Sequence, residues 1–195
     1  RNVYQKKYFQ IEAGEHWIDL GGNIGAFTLL ALTKGATVDV YEADNDHCEL
    51  IKMNLELNGL KANVINNAVV HDSTKEIYLN IQKNGNTWRN SIVKNWNGGR
   101  KKVDCIDIES VLNNNVCCKM DIEGAEMLIL ENLKTMPKKM VYEWSFDIDD
   151  NIDRYRNVLK KMIDNYENVK HNSIKDEHKI WQKGWFPPCR NVYCY

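Results

Sequence analysis

Apolar residues recur along the chain in two alternating rhythms. Trp17-Ile18-Asp19-Leu20 is short and dense enough for a buried strand, and Ala26 to Thr33 carries its apolar positions at helical spacing. Thr37-Val38-Asp39-Val40-Tyr41 reads as a second strand, and Asp46 to Asn58 as a helix with Gly59 as its stop. Ala62 to Asn66 predicts a short strand, and the alternation Glu76-Ile77-Tyr78-Leu79-Asn80-Ile81 an added, half-buried one. The stretch from Lys83 to Lys102 reads as a loop. Val116 to Asp121 predicts a fourth strand of the main pattern, followed by Gly124 and a helix through Ala125, Met127, Leu128, Leu130 and Leu133. Pro137 then precedes a fifth strand, Met140 to Trp144, and Ile152 to Tyr166 reads as a last amphipathic helix. The tail from Val169 to Tyr195, with Pro187-Pro188, is expected to supply edge strands and a loop. Strands alternating with helices predict an α/β fold, a mainly parallel sheet covered on both faces, with ligands at the strands' carboxyl ends.

Between the first strand and the first helix the backbone must turn sharply, and Gly21, Gly22 and Gly25 stand there. Glycine permits positive φ and lets a ligand approach the main chain, while the helix that follows offers free N–H groups and a positive dipole end. Glu42 closes the second strand, 21 positions after Gly21, where a carboxylate can accept both hydrogen bonds of a ribose diol. A dinucleotide fingerprint wants glycine at the first, third and sixth places, which here hold Gly21, Asn23 and Ala26. NAD is therefore the weaker candidate. The competing structural reading is a tight strand-to-helix turn with no ligand.

A chain of 195 residues suits one domain that buries about 70% of its unfolded surface without staples. Beginning with Arg1 and lacking a signal peptide, it reads as a module excised from a longer chain, and no apolar stretch approaches the ~20 residues needed to span a membrane. The net charge is −1, and the basic residues are scattered apart from Arg100-Lys101-Lys102, read as a solvated turn, so no nucleic-acid footprint is expected. Six cysteines without a CxxC pair, two of them adjacent at Cys117 and Cys118, read as reduced structural thiols of an intracellular, cytoplasmic protein.

With those residues placed, the chain from about Trp17 to Trp144 resembles the FkbM family of S-adenosylmethionine-dependent O-methyltransferases. The resemblance rests on Asp19-Leu20-Gly21-Gly22-Asn23-Ile24-Gly25, Tyr41-Glu42-Ala43, Asn67-Ala68-Val69 and, above all, Lys119-Met120-Asp121-Ile122-Glu123-Gly124-Ala125-Glu126. Ile106-Asp107 and Val141-Tyr142-Glu143 add to it. It implies a Rossmann-like class I methyltransferase fold, S-adenosylmethionine as cofactor, and methylation of hydroxyls on sugars or natural products. It further suggests a methylating domain fused to glycosyltransferase domains in a glycan-assembly protein. In this reading Asp19 and the Gly21–Gly25 backbone (with Gly22 and Asn23) meet the methionine end of the cofactor. Glu42 takes the ribose, and Ala43 with Asn67-Ala68 borders adenine.

A sugar hydroxyl is a poor nucleophile until its proton is drawn off, and Asp121 at the tip of the fourth strand is the candidate base. Lys119, two positions earlier on the same strand face, could tune Asp121 or steady an alkoxide. Glu143 ends the neighbouring strand, so Asp121 and Glu143 together could instead hold a divalent cation such as Mg²⁺ or Mn²⁺ that acidifies the hydroxyl. The structural alternative for these acids is capping or a pair with Lys119. Glu123 is a secondary catalytic candidate, and Glu126, in a first helical turn, is read as structural. His47, His71 and the other histidines have no partner at a recognisable spacing and are expected at the surface or in loops. Trp88, Arg89 and Trp96 in the Asn84–Asn97 loop, and Trp181, Trp185 and Phe186 in the tail, suit either sugar stacking or burial beneath loops. Two other functions compete with the methyltransferase: a nucleotide-dependent oxidoreductase and a non-catalytic cofactor- or glycan-binding module.

Overall fold

Five parallel strands, β1 (His16–Leu20), β2 (Thr37–Tyr41), β3 (Asn63–Ile65), β7 (Cys117–Met120) and β8 (Lys139–Ser145), run inward from one edge of the sheet, β3. The central β1 and β7 are too apolar to leave either face in water. The computed structural model describes residues 4, 6–83, 89–145, 147–171 and 189–195, with Cys189 and Arg190 described by backbone alone. Among these residues the strand order is β3-β2-β1-β7-β8-β10-β9, where β9 is Val169–His171 and β10 is Cys189–Cys194. β10 runs antiparallel to both neighbours. It is therefore an interior strand, and only β9 lies at the edge expected of both, since β10, between β8 and β9, carries Val192, Tyr193 and Cys194, all fully buried.

Successive side chains enter different cores. Trp17, Val38, Val40, Cys117, Val141 and Tyr193 pack with Phe9 and Ile11 of the N-terminal segment, and with α1 (Ala26–Thr33) and α2 (Asn45–Leu57). Ile18, Leu20, Cys118, Met120, Met140, Tyr142, Trp144 and Val192 face α3 (Glu126–Asn132) and α4 (Ile152–Asn165) on the other side. The two adjacent cysteines thus serve opposite cores, as period-two alternation requires. Trp144 stacks on Tyr155 of α4 with ring centroids 3.9 Å apart. Helix α2 opens on Asp44, whose carboxylate accepts from the Asp46 N–H, and α4 opens on Asn151, whose side chain accepts from the Arg154 N–H.

A second sheet corrects the sequence reading between Lys83 and Lys102. β4 (Ala68–Val70), β5 (Glu76–Gln82) and β6 (Asn97–Asp107) pair in the order β4-β6-β5. β6 escapes detection because Asn97-Gly98-Gly99-Arg100-Lys101-Lys102 is polar and largely exposed, held by its ladder with β5 rather than by burial. Arg100, Lys101 and Lys102 are accordingly strand residues and form no turn: Lys101 pairs with Asp44 and Asp46, and Lys102 with Glu76. Trp88, Trp181, Trp185, Phe186 and Pro187-Pro188 lie outside the described residues.

Leu130 is fully buried between α3, α4 and the sheet. Leu130→Ala is expected to cost about 2–5 kcal/mol, read as a lower urea midpoint at unchanged slope.

Candidate functional site

The site begins where β1 ends. Gly21 adopts φ +79°, and a Cβ there would fall 1.9 Å from the Asp121 carbonyl oxygen, so only glycine lets the tips of β1 and β7 meet this closely. The Gly21 N–H donates to the Tyr41 carbonyl and the Asp121 N–H to the Leu20 carbonyl, lacing the tips of β2, β1 and β7 together. Gly22 packs against Val40 and Ile51 of the core, and Gly25, φ +85°, immediately precedes α1.

Beneath this loop lies a buried ion pair. Lys119 Nζ stands 3.1 Å from Asp19 Oδ1 and donates to the Gly21 carbonyl at 2.6 Å and the Leu20 carbonyl at 3.2 Å. Asp19 Oδ2 accepts from Thr28 Oγ1 of α1 at 2.6 Å. Burial alone would lower the Lys119 ammonium, but Asp19 and Asp121 outweigh it and hold it above its ordinary value. An ammonium has three N–H groups, and these three partners take them; Asp121 Oδ2 is farther, at 4.0 Å. Asp19 and Lys119 therefore support the loop from below and do not line the cavity above it.

Tyr4, unread in the sequence, covers this pair. Its hydroxyl donates to Asp121 Oδ2 at 2.5 Å, its ring lies over Lys119 Nζ at 5.5 Å, and its edge meets Phe27. Burial and the adjoining Asp121 charge push the phenol far above its ordinary value. The only available signal was the run of aromatic and apolar residues Tyr4, Tyr8, Phe9 and Ile11 ahead of the first strand.

The cavity, about 640 Å³ counted out to its open mouth, is lined by Gly21, Asn23, Tyr41, Glu42, Ala43 and His47 on the β1–β2 side and by Asp121, Ile122 and Glu123 at the β7 tip. Asn67, Ala68 and Val69, Leu79, and Asn90 with Ile92 complete it. Glu42 is aimed by its backbone neighbours: Oε2 accepts from the Asn23 N–H and Oε1 from the Asp44 N–H, both at 2.8 Å. Asn66 holds the Glu42 and Ala43 carbonyls. Of the residues expected from sequence, Gly21, Asn23, Glu42, Ala43, Asn67, Ala68, Asp121 and Glu123 meet at this cavity. His47 was expected at the surface. It is instead buried, with Nδ1 3.7 Å from Glu42 Oε1, because it faces inward from the first turn of α2; the Glu42 carboxylate raises its imidazole against the effect of burial.

Glu123 follows the β7 tip with φ +56°, a strained conformation for a residue with a side chain. Its carbonyl accepts from Ser91 Oγ at 2.5 Å. Burial first, then the charges of Asp121, Glu126 and Glu143, push its carboxyl up to about 8, opposed by Arg89. Glu126 is buried and gathers the N–H groups of Ile122 and Gly124, which closes the turn.

Glu143 lies one position past the last paired residues of β7 and β8, Met120 and Tyr142, and accepts from Asn191 at 3.4 Å. Among the described residues no three His, Cys, Asp or Glu side chains converge as metal ligands. The Asp121–Glu143 pair has no third protein ligand among the described residues, and Asp121 Oδ2 accepts from Tyr4 and lies 4.0 Å from the Lys119 ammonium, so the donor set does not support a divalent cation. Trp96, a candidate sugar platform, has the Arg89 guanidinium over its ring at 4.9 Å, and Arg89 also pairs with Asp147.

The model of the methyltransferase FkbM domain matches residues 19–169. The chain belongs to this family. The sheet order and flanking helices are those of the Rossmann-like class I fold of S-adenosylmethionine-dependent methyltransferases, and the family implies that cofactor. A methyltransferase FkbM from Methylobacillus flagellatus KT aligns at a TM-score of 0.59 and 15% identity, over 99% of this chain and 46% of that one. The chain thus spans about half the length of that FkbM protein. An S-adenosylmethionine-dependent O-methyltransferase from Thermotoga maritima aligns at 0.51 and 12% identity, covering 94% of this chain and 59% of the other. A ribosomal protein L11 methylase from Lactobacillus delbrueckii subsp. bulgaricus aligns at 0.50 and 9% identity, covering 93% and 70%. An rRNA methylase from Streptococcus thermophilus is also among the matches. At these identities the likeness is one of fold. No curated protein matches the chain, and no helix among the described residues is long and apolar enough to cross a membrane.

Lys119→Met leaves the Asp19 carboxylate buried without its cation. It is expected to cost about 3–5 kcal/mol of stability at neutral pH, measured by urea unfolding.

Proposed function

We propose that this FkbM domain transfers the methyl group of S-adenosylmethionine to a carbohydrate hydroxyl. The observation that carries the reading is Glu42, a carboxylate fixed by two backbone N–H groups at the wall of a cavity whose other side, across the β1 tip, presents Asp121. Each Glu42 oxygen keeps a lone pair for a ribose hydroxyl. Gly21 and Asn23 present main chain to the methionine end, while Ala43, Asn67, Ala68, Val69 and Leu79 offer a flat, mostly apolar slot for adenine. Bound there, the cofactor supplies a methyl group on a sulfonium.

The chain's own work is to receive the hydroxyl proton and to orient the acceptor. Asp121 is the proposed base: Tyr4 fixes one carboxylate oxygen, with the Lys119 ammonium 4.0 Å from it, which leaves the other for the acceptor. Lys119 acts as a positioning residue, and Glu143 adds negative charge beside the acceptor. Glycine, asparagine and alanine at Gly21, Asn23 and Ala26 speak against a pyrophosphate and so against a nicotinamide oxidoreductase. A neutral sugar suits a cavity lined by Glu42, Asp121 and Glu123 better than a polyanion such as RNA does, and the net charge of −1 points the same way. The five described cysteines with side chains in view are free thiols, which suits a reducing compartment such as the cytoplasm. The resemblance supports a single methyltransferase domain within a larger glycan-assembly protein.

By calorimetry, S-adenosylhomocysteine is expected to bind and NAD not to; the reverse would replace this reading with an oxidoreductase. Glu42→Ala is expected to weaken S-adenosylhomocysteine by about ten- to a hundredfold, the worth of hydrogen bonds to a charged acceptor. With labelled cofactor and deoxyhexose-containing polysaccharides, Asp121→Asn is expected to cut methyl transfer by about 10²–10⁴ while affinity for S-adenosylhomocysteine stays within a few-fold. Unchanged turnover in that variant would remove Asp121 from the chemistry.

A further inference from the structure

Glu42 answers only one side of a ribose hydroxyl. Its carboxylate accepts and never donates, and each oxygen already takes one backbone N–H, from Asn23 and from Asp44. A hydroxyl that gives its hydrogen to such an oxygen keeps two lone pairs, and Ala43, Ala68, Val69, Leu79 and Ile92 of the lining offer them no side-chain donor. On the Oε1 side of Glu42 most neighbouring donors are already engaged. Asn66 holds the Glu42 and Ala43 carbonyls, and the Cys48 thiol donates to the Glu42 carbonyl. Asn90 reaches Asp44, and Lys101 is divided between Asp44 and Asp46.

His47 is the exception. Asp44 caps α2 by accepting from the Asp46 N–H, which starts the helix directly after the β2 tip and sets His47 in its first turn. Helical side chains lean toward the helix N-terminus, so the ring turns back beside Glu42 and joins the lining of the cavity. Nδ1 stands 3.7 Å from Glu42 Oε1, beyond hydrogen-bond range, and no other group among the described residues hydrogen-bonds the ring. Glu42 does not depend on His47 for its orientation, since the two backbone N–H groups fix the carboxylate. The separation is too long for the two side chains to bond each other and short enough for one oxygen atom to bridge them.

We propose that His47 is a second ribose-binding residue, its ring N–H donating to the hydroxyl whose hydrogen Glu42 Oε1 accepts. The two side chains then hold one hydroxyl of the methyl donor from both sides, and a deoxyribose offers them nothing to hold. This rests on the reading that the adenosyl group occupies this cavity. An imidazole carries an N–H whether neutral or protonated, so the contact stands in either state.

The test is a cycle between protein and ligand. Calorimetry of the intact chain gives affinities for S-adenosylhomocysteine and for its 2′-deoxy and 3′-deoxy analogues, and the set is repeated in His47→Phe, which keeps a ring and loses both nitrogens. The variant is expected to weaken S-adenosylhomocysteine by about three- to tenfold, the size of one hydrogen bond, and to leave the affinity for one of the two analogues unchanged. His47→Leu carries the same comparison should His47→Phe fold poorly, as read by its urea midpoint. His47→Asn and His47→Gln set an amide N–H near the places of Nδ1 and Nε2, and one of them is expected to retain most of the native affinity. A purely structural role predicts a loss shared equally by all three ligands. That outcome, native affinity for S-adenosylhomocysteine in His47→Phe, or a loss in both amide variants as great as in His47→Phe would overturn the proposal while leaving the donor pocket in place. Failure of S-adenosylhomocysteine to bind the native chain would overturn the donor-pocket reading and this proposal with it.

Discussion

The Lys119–Asp19 pair is the constraint on which the site depends. A charge pair costs several kcal/mol to bury and is retained only where further hydrogen bonds complete it. Here they do, because the ammonium spends its remaining N–H groups on the carbonyls of Leu20 and Gly21. One side chain from β7 thereby holds the chain of β1 just as it leaves the sheet and turns upward. The glycine loop can afford φ values that favour no other residue because its floor is tied at this point. Gly21, brought against the Asp121 carbonyl, and Asp121, clasped by Tyr4, complete a rigid junction of β1, β2 and β7.

Above that junction the acids divide by the way they are satisfied. Glu42, Asp44 and Glu126 accept backbone N–H groups and so shape the turns in which they stand. Asp44 also receives Lys101 from β6 and Asn90 from the loop, which brings the small sheet against the end of the large one. The two halves of the cavity are therefore joined by two adjacent residues of one loop, Asn90 reaching Asp44 and Ser91 reaching Glu123. Glu123 is held differently, with the Arg89 guanidinium as its ion-pair partner, Nε 4.0 Å away.

Much of this was legible in the chain because periodicity and burial coincide there. Ala26–Thr33 and Thr37–Tyr41 were readable to the residue, since Gly25 and Gly35 bound the helix and the inward positions apart from Thr28 are apolar. The relation of Gly21, Glu42 and Asp121 was also readable, because strand tips are where a parallel sheet gathers its ligand groups. β6 was not, for its residues are held by backbone pairing while their side chains stay in water. Lys119 was placed on the correct strand, yet two-residue alternation carries no information on depth, and the side chain lies beneath the loop rather than in the lining of the cavity. Tyr4 acquires meaning only through Asp121, 117 residues along the chain, and His47 through Glu42 across the turn into α2; nothing local marks Tyr4 or His47 as the partner of these acids.

The placement of β10 has a consequence for assembly. β9 precedes it in the chain but joins the sheet only through it, so Val169–His171 reaches β8 only by way of Cys189–Cys194. Tyr142 and Met140 meet Val192 and Cys194 across that seam. The β8–β10 pairing is thus a non-local closure, and a chain that had formed β1 to β8 without it would expose the flank of β8 as an open edge.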